Sequence, residues 1–90
     1  MMTINQLRAE LEMIARDLEL EEAEVEAEQN GKWIHLLIAA KEFRGKSQGE
    51  RENMIWRAFE RRFDDETILA ITQCYLLTPE ERAAFLSTAS

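Results

Sequence analysis

The sequence predicts a single α+β domain over residues 1–90, of order α-β-β-α-β-α, with helices packed on a three-stranded mixed sheet. Three observations predict it. Apolar residues recur at helical spacing in the first eighteen positions; the period then drops to two and meets Asn30-Gly31; and a helical stretch separates two apolar strands. A helix joining neighbouring strands is a right-handed crossover, which makes those strands parallel.

The elements follow in order. Thr3 and Gln6 form a capping box, each side chain satisfying an unpaired backbone N–H. Ile4, Leu7, Leu11, Ile14 and Leu18 then make one apolar stripe, so the first helix spans about Ile4 to Leu18. From Glu22 to Glu28 the residues alternate, with Ala23, Val25 and Ala27 on one face and four glutamates on the other. That is a half-exposed strand, and its acidic row discourages edge-to-edge pairing. Asn30-Gly31 supplies two positive-φ residues for a type I′ hairpin. The second strand, Trp33 to Ala40, is apolar on both faces except at His35, which suits a central strand. His35 has no Cys, Asp or second His near it in sequence and is read as structural. Ser47 and Glu50 form a second capping box, and Met54, Ile55, Ala58, Phe59 and Phe63 form the buried stripe of the helix it starts. Trp56 falls at the stripe's margin. Asp64-Asp65-Glu66 breaks this helix, and Thr67 to Leu77 is β-branched and aromatic enough to be the third strand. Thr78-Pro79-Glu80-Glu81 opens a last helix, with a cap, a proline and acids at the positive end of the dipole.

Composition excludes several classes. Apolar residues are 46 % and charged residues 32 %, which fits a folded domain rather than an acidic disordered tail. The first residues lack the apolar run of a signal peptide, and no stretch approaches the ~20 apolar residues of a membrane span. The lone Cys74 has no partner for an internal disulfide, so a cytoplasmic, reducing setting is expected. The net charge of −7 opposes bulk nucleic-acid affinity. Residues 41–62 nevertheless carry seven Lys/Arg against four Glu, a basic middle between acidic ends. Lys41, Arg44, Lys46, Ser47 and Arg51 there are the candidates for contacting an anion or a nucleic-acid backbone.

The tripeptide Gly45-Lys46-Ser47 raises the question of a phosphate-binding loop. Such a loop needs a glycine five residues before Gly45, and that position is Ala40. Bulky Lys41-Glu42-Phe43-Arg44 fills the interval, so nucleotide hydrolysis is excluded. No nucleophile–base pair or metal-ligand spacing can be placed, and no enzymatic activity is expected.

The run Phe43-Arg44-Gly45-Lys46-Ser47, with Arg51 four residues on, resembles the F-x-G-K-S-x-x-x-R segment of the BolA-like family. "WIHLLIAAKEF" before it and "ILAITQCYLLTPEE" after it are similar to the family's second and third strands and last helix. The resemblance runs from Leu7 to about Phe85 and implies a class II KH-like fold. It implies an adaptor or regulator that partners a monothiol glutaredoxin, shares a [2Fe-2S] cluster in iron or stress regulation, and in some members binds DNA to regulate transcription. The ligand histidine lies in an I-H-A sequence in that family, whereas this chain reads Ile68-Leu69-Ala70. The second ligand, from the loop between the first two strands, is missing from Gln29-Asn30-Gly31-Lys32. Leucine has no lone pair, and amides are poor donors to iron beside thiolate and imidazole. Cys74 is five residues beyond Leu69, roughly 16 Å along a strand at ~3.3 Å per residue, and on the opposite face. No bound cofactor is therefore expected. The expected contact surface is Leu69, with Trp56, Phe43 and Lys46 beside it; the alternative is a KH-like nucleic-acid contact through residues 41–62. The glycines that would form a KH clamp, Gly45 and Gly49, are one residue too far apart.

Overall fold

The computed structural model describes residues 2–89. Helix α1 (Ile4–Asp17) is followed by strands β1 (Glu24–Asn30) and β2 (Trp33–Ala39), then a short 3-10 turn (Lys41–Phe43). Helix α2 (Gln48–Arg62), helix α3 (Asp65–Ala70), strand β3 (Ile71–Leu77) and helix α4 (Pro79–Ala89) complete the chain. The sheet order is β1-β2-β3. β1 and β2 are antiparallel, from Glu24 opposite Ala39 to Asn30 opposite Trp33. β2 and β3 are parallel, from Ile34 beside Ile71 to Ala39 beside Leu77. The register slips between Ile34 and His35, and the Thr72 hydroxyl donates to the Ile34 carbonyl at 3.5 Å beside the slip. This is the mixed three-stranded α+β fold that the alternating periods predict.

The core lies on one face of the sheet. Ile34, Leu36 and Ile38 of β2 and Ala27 of β1 pack with Leu7, Leu11 and Ile14 of α1 and Ile55, Ala58 and Phe59 of α2. α4 lies on the other face: its Arg82 reaches Glu24 and Glu26 of β1, and its Phe85 ring stands 5.2 Å from Tyr75 of β3.

The element boundaries correct the sequence reading in three places. β1 starts at Glu24 rather than Glu22, because Glu19 (φ 58°) and Glu22 (φ 55°) turn the chain through left-handed conformations first. The hairpin turn is Gly31-Lys32, with one positive φ, at Gly31, rather than the type I′ pair Asn30-Gly31. Burying Ala27 opposite Leu36 sets this register, and a one-residue slip would turn the glutamate row inward. The third strand is shorter than predicted, since residues 65–70 form α3 and β3 begins only at Ile71. Asp64 is not a breaker alone. Its carboxylate accepts from Thr67 N at 2.9 Å and starts the new helix.

Candidate functional site

The segment 40–51 shows what the Gly-Lys-Ser run does. After Ala40 the chain turns through one 3-10 turn, which drives Phe43 into the core with no exposed surface. Gly45 takes φ +78°, a conformation that L side chains rarely adopt, and returns the chain to the surface. The Ser47 hydroxyl then accepts from Glu50 N at 3.2 Å, while the Glu50 carboxylate accepts from Ser47 N at 3.0 Å. The Ser47 and Glu50 N–H groups at this helix start are thereby engaged by the cap. The serine is a helix cap and the glycine a turn.

Arg51 was expected to contact an anion, and it is buried. Its Nε donates to the Lys46 carbonyl at 3.1 Å, and its Nη1 donates to the Leu76 carbonyl at 3.0 Å and to Glu81 at 2.7 Å. The guanidinium lies 5.7 Å from the Phe43 ring centroid. It therefore ties the 43–47 turn, β3 and the start of α4 together. Two other expected anion contacts are also engaged: Lys41 pairs with Glu21 at 3.3 Å, and Arg44 grips Glu80 with Nε and Nη2. Arg62 pairs with Glu10 and Asp17. Of the seven basic residues between 41 and 62, Lys46, Arg57 and Arg61 make no salt bridge among the described residues; they line one shallow depression beside Leu18 and Met54.

The expected partner contacts separate in the same way. Phe43 is a core residue because the apolar strand before it delivers its ring beneath the α2 start, so it offers no surface to a partner. Lys46 is exposed on the turn. Trp56 is half-buried, its ring edge-on to Phe59 at 5.0 Å. Leu69 is the most exposed large apolar side chain described, at 78 %. It sits on α3 between half-buried Ile68 and buried Ala70.

The donor atoms present do not suit an iron–sulfur cluster. Leu69 offers none, and the two-residue hairpin turn carries neither Cys nor His. Cys74 pairs with Leu36 on the core face, whereas His35, one position earlier on β2, points to the opposite face. One ion cannot bind both. Burial, then the charge of Glu52, pushes the Cys74 thiol up to about 12, so it is protonated near neutral pH. No cluster of three or more His, Cys, Asp or Glu suited to a metal occurs among the described residues. The 16 Å strand spacing from Leu69 to Cys74 does not hold, because Leu69 lies on a helix; the difference in chemistry remains.

The glycine turn and the caps at Ser47 and Thr78 were legible as motifs. The buried role of Arg51 was not, because its acceptor, Leu76, lies 25 positions away. The signal for α3 was present as Asp64 three positions before Thr67, and was outweighed by the β-branched residues after it.

No protein-family model matches the chain, and no curated protein does. A solved structure described as a Bol-like protein from Babesia bovis is similar, with a TM-score of 0.56 and 18 % identity; the match covers 88 % of this chain and 92 % of that one. The chain has a BolA-like fold.

Proposed function

We propose that the chain is a non-enzymatic BolA-like adaptor that docks a protein partner through the exposed side of α3, with Leu69 as its anchor. The observation that carries this reading is Leu69 itself, an apolar side chain 78 % exposed where the resembling family places its ligand histidine. Folding gains little from a leucine so exposed, whereas a partner that covers it removes apolar surface from water at ~25 cal/mol per Å². The capped helix fixes the position of its backbone, which limits the ordering that docking requires.

The proposed partner is a monothiol glutaredoxin, engaged in iron–sulfur or stress regulation without a cluster ligand from this chain. The reading is non-enzymatic because His35 and Cys74 are on opposite sheet faces and the thiol is held protonated. The nucleic-acid reading has less support, since Lys41, Arg44, Arg51 and Arg62 are engaged by carboxylates within the chain. No helix among the described residues is long and apolar enough to cross a membrane.

The test titrates a cluster-loaded monothiol glutaredoxin with the wild-type chain and with Leu69→Asp, followed by visible circular dichroism and tryptophan fluorescence. The expected result is a saturable fluorescence change with an unaltered cluster spectrum, lost in Leu69→Asp. An altered cluster spectrum would mean direct ligation and overturn docking without it. No change in either signal would remove glutaredoxin as the partner.

A further inference from the structure

The outer face of the sheet, opposite the core, is only half covered by α4. Exposure along β2 shows where the cover ends, falling from 45 % at Trp33 to 8 % at Leu37 and 3 % at Ala39. α4 starts at the Ala39 end, its Arg82 clamped to Glu24 and Glu26 at 3.1 and 2.6 Å. Phe85 and Leu86 then reach over the sheet yet remain 40 % and 45 % exposed. Between them and the strands runs a groove of about 340 Å³ lined by Glu28, His35, Leu37, Tyr75, Phe85 and Leu86.

We infer that this groove docks a short basic and apolar segment of another protein. Charge decides the class of occupant. The β1 side of the groove carries Glu26 and Glu28, and Arg82 answers only the first. Glu28 makes no ion pair among the described residues, and it stands directly across from His35. Nucleic acid and anionic lipid are repelled by such a wall. A second copy of the chain would set two glutamate rows together on molecules of net charge −7 each. A segment bearing Lys or Arg gains a carboxylate partner at Glu28 and the faces of Tyr75 and Phe85, whose rings attract a cation. Its apolar side chains cover Leu86, which is 45 % exposed. From Trp33 to Leu37 is about 13 Å of strand, room for roughly four extended residues.

The probe is a fluorescein-labelled peptide of alternating lysine and leucine, followed by fluorescence anisotropy against the full chain. A matched glutamate–leucine peptide is the control. Saturable binding is expected, weakened about tenfold by Glu28→Lys and also weakened by Phe85→Ser, with no binding of the acidic peptide. Circular dichroism confirms the fold of each variant. Leu69→Ser, which adds no charge beside the groove, leaves peptide affinity unchanged, so this result and the glutaredoxin titration succeed or fail separately. The inference is overturned by an absence of saturation up to about 1 mM. It is equally overturned by equal affinity for the acidic peptide, by an unchanged affinity in Glu28→Lys, or by a dimeric chain whose dissociation Glu28→Lys promotes.

Discussion

Replacing Arg51 by methionine separates the structural role of this residue from an anion-binding one. Methionine keeps an apolar stem against Phe43 and removes the guanidinium. The Leu76 carbonyl then loses its donor, and an orphaned buried acceptor costs ~1–3 kcal/mol. The bond to the Lys46 carbonyl is only partly buried and adds ~0.5–1.5 kcal/mol. The ion pair to Glu81 adds least, ~0.2–1 kcal/mol, because the Glu81 side chain is 49 % exposed and solvent screens it. Together these come to about 3 kcal/mol, a large share of the roughly 5–13 kcal/mol typical of a chain of this length. With a urea slope near ~1 kcal/mol per M, the unfolding midpoint falls by about 2–3 M. Tryptophan fluorescence reads the transition through Trp33 and Trp56. Lys46→Met, on the exposed turn, is the comparison and shifts stability by no more than ~0.5 kcal/mol. An Arg51→Met midpoint within about 0.5 M of wild type would refute the reasoning. It would mean that the guanidinium is solvated and available to ligands.

Two further outcomes follow from the titrating groups. Cys74, with its thiol near 12, should react with iodoacetamide at pH 8 about a thousandfold more slowly than an unfolded-peptide cysteine, and reach the ordinary rate in urea; equal rates in both states would contradict its burial. Because that value is raised above the unfolded 9.0, the thiol's contribution to stability is fully present below pH 9.0 and is lost as pH rises toward about 12. Glu50 and Glu81 behave oppositely. Backbone N–H bonds from Ser47 and Thr78 hold their carboxyls below the ordinary 4.5, with the Ser47 hydroxyl helping Glu50 and Arg51 helping Glu81. Their contribution is present above pH 4.5 and lost as pH falls through the lower folded values, so the melting temperature should drop on acidification from about pH 6 to about pH 2. A flat or rising melting temperature over that range would show the caps to be unimportant.

Much of the fold was legible because its signals are local. Thr3 with Gln6, Ser47 with Glu50 and Thr78 with Glu81 are each three residues apart, and all three form reciprocal caps. The glutamate alternation fixed which face of β1 is buried before any partner strand was considered. What failed depended on distant partners. Thr67 to Ala70 has a strand's composition, yet one carboxylate at Asp64 and the burial of Thr67 and Ala70 make it helical. Phe43 belongs to a surface-like motif, and only its position after a fully buried strand end reveals its place in the core. The basic middle could be counted but not apportioned, because Glu10, Asp17, Glu21, Glu80 and Glu81 come from elements on either side of it.

That apportioning bears directly on function. A chain with seven cations in 22 residues reads as an anion binder, but the acids outnumber them overall, and the fold folds four of the seven back onto carboxylates. What is left for partners includes an apolar set: Leu69, Trp33, Phe85 and Leu86 are exposed large side chains. The register brings several of them to one end of the molecule. β3 begins at Ile71 beside Ile34, so Leu69, two positions earlier, lies at the Trp33 end of the sheet, the same end at which α4 leaves the outer groove open. The adaptor role proposed above requires surfaces whose coverage is worth more in a complex than in the free chain. On this fold those surfaces gather where the strands start, away from the Arg51 junction that holds the other end together.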